Sequence, residues 1–382
     1  MTNVSDLTNP AFVTSNEELN ALCTAWRNLP VLALDTEFIR VDTFYPKLGL
    51  IQVCDGVATY LLDPLKLTDW QAFTNLLSSH SVTKVFHSCS EDLVVFAELF
   101  HQVPYPLFDT QKAAAFLGMG YSVSYQTLVK QILDIDVEKG ETRSDWLQRP
   151  LSQQQITYAA LDVAYLSRIV TILRDRLQER GYLEWFEAEC RDMVTQASAN
   201  IQQDDWHNYY LNIGAAWRLD DAQLGALQRL CQWRESEARR RNKPRSWVAK
   251  DTDLMALAQA MPAQAADLQR IPDLSRHLLQ RDSDTLLDII ARPHSGPALR
   301  PDLVEQPLTP QMRKQLKACQ QFVRAKAESL GIAQEMLARK KQLIPLINGL
   351  TEQNELVWPD ELSGWRRDIL EEGLRRALLE KI

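Results

Sequence analysis

The segment "VLALDTEFIR" at residues 31–40 runs from strand-like apolar residues into two carboxylates one residue apart. Val31, Leu32 and Leu34 belong inside a sheet. Asp35 and Glu37 repel each other and lose hydration among such neighbours. Strand residues two apart share a face, so both acids project together from the strand's C-terminal end. Open α/β sheets commonly place ligands at that end. Either the strand end is exposed to water, or a positive charge sits between the acids.

The segments that follow predict an α/β layer. "LGLIQVCDGVATYLLD" (48–63) reads as a hairpin turning at Asp55-Gly56. "WQAFTNLLSS" (70–79) has helical spacing, "KVFHS" (84–88) is a short strand, and "EDLVVFAELF" (91–100) is helical again. "PLFDTQ" (106–111) gives another strand, with a helix from Thr110 to about Leu117. A hairpin followed by alternating strands and helices implies a mixed sheet. From residue 152 onward the pattern is helical, broken by Pro and Gly.

The helical half carries a weak internal repeat at an offset of 89 residues, aligning "WVAKDTDLMAL" (247–257) with "MLARKKQLIPL" (336–346). Identities this few also arise by chance between amphipathic helices. Both copies, however, place a basic helix, then a break, then a similar apolar helix. The proline-rich stretch 291–310 reads as their linker. The expected organisation is an α/β domain over 1–200 and two all-α modules over 212–294 and 305–380.

Length, at 382 residues, suits two or three domains. Apolar residues at 45% and charged residues at 24% give the balance of a globular protein. No uninterrupted apolar run of membrane-spanning length occurs, so no membrane partner is expected. The N-terminus "MTNVSDLTNPAFV" lacks a basic start followed by an apolar stretch, so no secretory leader is expected. Six cysteines without CxxC spacing argue against a zinc site or a disulfide framework and for a reducing, cytoplasmic location. The net charge of −8 is uneven: residues 1–200 hold 15 basic and 25 acidic residues, and residues 201–382 hold 27 and 25. The acidic half would need cations, or the other half, to approach a polyanion.

Two further acids gain meaning only in combination with the first pair. Asp92 lies in the first turn of its helix, where an acid also simply meets the helix dipole, and Ser90 is a candidate cap. In "QQQITYAALDVAYL" (153–166), Tyr158 and Asp162 stand four apart on one helical face. Taken singly, each has an ordinary explanation. Together, an acid pair ending the first strand, an Asp opening a later helix and a Tyr-xxx-Asp helix resemble the DnaQ-like 3′→5′ exonuclease superfamily in its tyrosine branch. Thr157, five before Asp162, excludes the histidine branch. "FDTQKAAAFLG" (108–118) and "KGETRSDWLQRPL" (139–151) are similar to the ribonuclease D family, and the helical half resembles its two helicase-and-RNase-D C-terminal (HRDC) modules.

That resemblance implies an α/β ribonuclease H-like nuclease domain and two divalent cations, Mg²⁺ or Mn²⁺. It implies that Asp35 bridges the ions, Glu37 and Asp162 complete the shell of one, and Asp92 holds the other. Four carboxylates carry about −4, which two dications balance. Tyr158 would orient the attacking water. The substrate implied is RNA with a free 3′ end, precursor tRNA above all, with no obligate protein partner. His87 is a candidate for phosphate contact or a packed strand residue, Lys139 for phosphate contact or a solvated loop charge, and Arg143, Asp145 and Trp146 for RNA contact or structural tethering. Arg239, Arg240, Arg241, Lys243, Arg245 and Lys250, with Trp247, interleave cations and aromatics as RNA-binding surfaces do. The competing readings are a DNA exonuclease of the same superfamily and a catalytically inactive RNA-binding scaffold.

Overall fold

The computed structural model describes residues 7–138, 144–202, 206–293, 299–350 and 356–379. Its sheet has six strands: β1 (Ala11–Val13), β2 (Val31–Ile39), β3 (Lys47–Cys54), β4 (Thr59–Leu62), β5 (Thr83–Phe86) and β6 (Leu107–Asp109). They lie in the order β1-β4-β3-β2-β5-β6. β3 and β4 form the expected antiparallel hairpin, whereas β1–β4, β2–β5 and β5–β6 pair in parallel, so the sheet is mixed. The Asp55 carboxylate closes the hairpin turn by accepting from the Val57 and Ala58 amides at 2.8 and 2.7 Å.

Eight helices cover this sheet: α1 (Asn16–Trp26), α2 (Gln71–Leu77), α3 (Ser90–Phe100), α4 (Thr110–Phe116), α5 (Tyr125–Leu133), α6 (Gln153–Ala164), α7 (Leu166–Glu179) and α8 (Leu183–Gln202). α6 packs on β2 and β4, and α7 packs on β2 and β5, which brings both over the strand with the acid pair. Together Gln153–Glu179 is long and apolar enough to cross a membrane, but half of it is buried inside the nuclease fold and it breaks at Tyr165. It serves as a core helix. Helices α1 and α5 and the edge strand β1 lie outside the elements expected from the sequence. β1 is only three residues long, too short to show an alternation.

The helical half contains α9 (Asp221–Arg241), α10 (Arg245–Val248), α11 (Asp251–Ala260), α12 (Ala265–Leu268) and α13 (Arg276–Ala291). It continues with α14 (Pro310–Leu330), α15 (Gln334–Leu337), α16 (Lys340–Asn348) and α17 (Trp365–Leu379). α14, α15, α16 and α17 each begin 89 residues after α9, α10, α11 and α13. The weak sequence repeat is therefore a repeat of structure.

The chain divides into two compact units: Met1–Ile39, Leu48–Ile201 and Leu308–Ile382 form one, Arg40–Lys47 and Gln202–Pro307 the other. In the first unit the C-terminal helices dock on the nuclease fold. The Tyr182 hydroxyl donates to Leu330 O at 2.6 Å, Ala333 N donates to Ala115 O at 2.9 Å, and Trp365 stacks on Trp185 at 5.1 Å. Gly118 permits this approach: its φ is +73°, and a Cβ there would lie 2.5 Å from Gly331 O. In the second unit, helices α9–α13 enclose a core around Tyr210, Leu227, Leu254 and Leu286.

Candidate active site

Burial and mutual repulsion join the four acids into one electrostatic group. Asp35 and Glu37 are half-buried at the end of β2, and Asp92 on α3 is 7% exposed. Burial, then the charges of Asp92, Asp162 and Glu37, raises Asp35 well above the usual carboxylate range. Burial, then Asp162 and Asp92, pushes Glu37 up to about 8. Asp162 is pushed up to about 7, chiefly by burial, against a hydrogen bond from Tyr158. Burial raises Asp92 to about 6, offset in part by the Thr36 hydroxyl, which donates to its Oδ1. Charge repulsion thus links Asp35 and Glu37 to Asp92 and Asp162, and a hydrogen bond links Tyr158 to Asp162.

The donor set is oxygen only, as hard divalent cations require. By chemistry these residues fit such ions, although no three His, Cys, Asp or Glu side chains among the described residues converge as a ready-made cage. Tyr158 stays protonated. Burial, followed by the charges of Asp162 and Glu37, raises its phenol far above the ordinary value, and its hydroxyl bonds Asp162.

Several neighbours hold this group in place. Trp146 is buried with Leu50, Leu61 and Ala159, its ring 6.1 Å from Tyr158. Gly49 lies directly against it: a Cβ there would meet the Trp146 backbone oxygen at 2.7 Å. Arg149 binds Asp63 through two bonds, of 2.9 and 2.7 Å, and also donates to Gly49 O and Trp146 O. Burial raises the Asp63 carboxyl, but the Arg149 guanidinium, with the Leu65 amide and the Lys66 charge, outweighs it and holds the pKa below the usual range. Asp145 accepts from Leu147 N, and its carbonyl accepts from Gln155, so Asp145 and Trp146 tether the segment. Lys139 and Arg143 lie outside the described residues.

His87 is a packed residue, as one of its two sequence readings had it. Nε2 faces the Val123 carbonyl at 3.1 Å, and a carbonyl only accepts, so Nε2 carries the proton. Nδ1 lies 2.9 Å from the Thr110 hydroxyl oxygen, whose own proton goes to the Phe86 carbonyl at 3.0 Å. Burial lowers the imidazole pKa, in keeping with this neutral tautomer. Ser90 is not the helix cap expected from the sequence. It is the first residue of α3, the cap position is Cys89, and that residue makes no side-chain cap bond. Asp109 supplies the missing acceptor: its carboxylate takes the Ser88 and Cys89 amides at 3.3 and 2.9 Å and also caps α4. The Asp in "FDTQK", just before a helix, is the signal that would have found it.

The basic segment belongs to the second unit and is largely neutralised there. Buried Glu235 accepts from Arg239 and Arg245, each at 2.9 Å. Arg241 pairs with Glu237 at 2.6 Å and with Asp282 at 2.8 Å, and Arg240 pairs with Glu237. Arg239 and Arg245 also lie over the Phe44 ring at 4.8 and 4.9 Å. The outward members are Arg240, 66% exposed, Lys243, beside Asp42 at 3.9 Å, Lys250, and Trp247, 57% exposed.

Comparison with known proteins matches most of the chain. Residues 10–178 match the 3′-5′ exonuclease family, residues 223–290 the HRDC domain, and residues 310–374 the C-terminal HRDC domain of ribonuclease D. The chain is 42% identical over 369 residues to ribonuclease D of Pseudomonas paraeruginosa, covering 96% of this chain and 97% of that one. It is 36% identical over 381 residues to ribonuclease D of Escherichia coli, covering 97% and 99%. The crystal structure of Escherichia coli RNase D, described as an exoribonuclease involved in structured RNA processing, superposes with a TM-score of 0.85 at 34% identity, covering 97% and 99%.

Proposed function

This chain belongs to the ribonuclease D family of 3′–5′ exoribonucleases, and from that premise we propose that it trims precursor tRNA 3′ ends with two divalent cations, releasing 5′-mononucleotides. The observation that carries this reading is the mutual electrostatic coupling of Asp35, Glu37, Asp92 and Asp162, with Tyr158 bonded to Asp162. Those four carboxylates would hold Mg²⁺ or Mn²⁺. When bound, such ions lower the pKa of water and stabilise charge at the attacking and leaving oxygens of an in-line displacement.

The remaining work falls to the chain's own groups. The Tyr158 proton is committed to Asp162, which leaves the phenol oxygen to accept a hydrogen bond from water. With its pKa raised, the phenol orients that water and does not deprotonate it. Thr36 fixes the Asp92 carboxylate, and Trp146 backs the Tyr158 ring. Arg240, Lys243 and Lys250, with Trp247, supply outward cations and a stacking face for RNA. The free, buried thiols among the described residues suit a reducing cytoplasm.

The test is digestion of matched RNA and DNA strands, and of a precursor tRNA, with Mg²⁺ and with chelator. The expected result is metal-dependent shortening of RNA from its 3′ end and faithful trimming of the precursor. Equal or faster digestion of DNA would transfer the protein to the DNA reading. Binding without cleavage would support the inactive scaffold.

A further inference from the structure

The helix bearing Tyr158 and Asp162 is broken by a side chain from another element. In an unbroken helix the Tyr165 amide would bond the Leu161 carbonyl, four residues back. Here the Tyr125 hydroxyl stands between them: it donates to Leu161 O at 2.8 Å and accepts from Tyr165 N at 3.2 Å. A group inserted into the ladder is a recognised cause of a helix break. The break follows at Tyr165, where α6 ends and α7 begins. Both backbone groups remain satisfied, so the interruption leaves no buried polar atom orphaned at this point.

Tyr125 is itself firmly placed. It is the first residue of α5, 6% exposed, with Ser124 capping that helix. The Val123 carbonyl just before it accepts from His87 Nε2 at 3.1 Å and from Gln111 Nε2 at 3.0 Å. The His87 ring also meets the Tyr125 ring edge-on at 5.7 Å. A continuous set of contacts therefore runs from β5 and α4, through the start of α5, to the carbonyl one residue before Asp162.

We infer that Tyr125 is a positioning residue for the nuclease reaction: its hydroxyl sets the break that aims Asp162 and Tyr158 at the β2 acids. The inference rests on the assignment of those residues to the active centre. Without the hydroxyl, the Tyr165 amide closes directly on Leu161, the two helices draw into line, and the last turn of α6 shifts. Displacements of this kind act on turnover more than on substrate affinity, because reacting groups tolerate little misplacement.

The experiment uses full-length Tyr125→Phe, which keeps the buried ring and removes one oxygen. Selective ¹⁵N-tyrosine labelling follows the Tyr165 amide, and steady-state kinetics on an RNA strand follow the chemistry. The expected results are a shifted Tyr165 amide signal, kcat lower by roughly tenfold or more, and KM within about twofold. A second arm places the same change in a Tyr165→Pro background, where no amide exists to close the ladder. There Tyr125→Phe should lower kcat no further. An unshifted amide, an unchanged kcat beside a shifted amide, or equal losses in both backgrounds would each overturn the inference. A wild-type protein inactive on RNA would instead overturn the functional reading, and the amide signal would still report on the break.

Discussion

At the scale of single residues, the site sets charge against burial. Asp35, Glu37 and Asp162 all bear a desolvation cost and repel one another, and Tyr158 donates a hydrogen bond to Asp162. Because the tyrosine contributes one hydroxyl and no charge, Tyr158→Phe should leave RNA affinity intact. Turnover should fall roughly 10²-fold, the scale of a positioned proton-handling group. Single-turnover kinetics beside a binding titration check this, and unchanged turnover would return Tyr158 to a packing role against Trp146. The five principal side chains were singled out in the sequence only by the combination of motifs that resembles the exonuclease superfamily, since each motif alone has an ordinary explanation. Asp109 carried a local signal as the acid before a helix, but Thr36 and Tyr125 did not, since each acts across more than 30 residues through contacts that no local pattern reports.

At the scale of elements, the two helical modules share one set of helices and differ in the chemistry of one corner. α9 ends in a left-handed cap at Asn242, α14 in a left-handed cap at Gly331, the residues that tolerate this conformation best. Beyond those caps, Lys243 and Trp247 of the first module correspond to Ile332 and Met336 of the second, both buried in docking onto the nuclease fold. The apolar corner is thus used inside the first unit, and the basic corner keeps outward-facing cations and Trp247. Sequence reading gave all seven residues of the basic segment one role, but Arg239, Arg241 and Arg245 are held by Glu235, Glu237 and Asp282. Neutralising Arg240, Lys243 and Lys250 together should therefore flatten the slope of log affinity for folded RNA against log salt. Neutralising Arg239 should instead lower the melting temperature, because Glu235 loses a partner in a buried site. Salt titrations and thermal melts of the two variants separate these outcomes. Identical salt slopes for wild type and the triple variant would assign RNA capture to another surface.

At the scale of the whole molecule, the acid cluster couples stability to pH and to divalent cations. Asp92, Asp162 and Glu37 hold their protons to about 6, about 7 and about 8 in the folded state, against roughly 4 in an unfolded chain. Between those values the folded state binds more protons than the unfolded one, so stability falls as pH rises through about 6, about 7 and about 8, and Asp35, also raised well above the usual carboxylate range, adds to the fall. The melting temperature of metal-free protein should drop from pH ~5 to pH ~8.5, and added Mg²⁺ should raise it more at the upper pH, where the ligands are ionised. A melting temperature indifferent to pH would show that the acids do not strain the fold. The α/β layer and the helical half were legible because apolar periodicity is strong over hairpin and helices; the assortment into two units was not, since residues 40–47 join the first helical module through bonds such as Phe44 N to Asn242 Oδ1, 198 positions away. The central claim, that these carboxylates do the chemistry, is tested most directly by digesting 5′-labelled RNA with Asp35→Asn and with Asp162→Asn at saturating Mg²⁺. Each variant should melt no lower than wild type in metal-free buffer, because one repelling charge is gone, and each should leave the RNA undigested; an Asn variant that shortens the strand at near wild-type turnover would contradict the account.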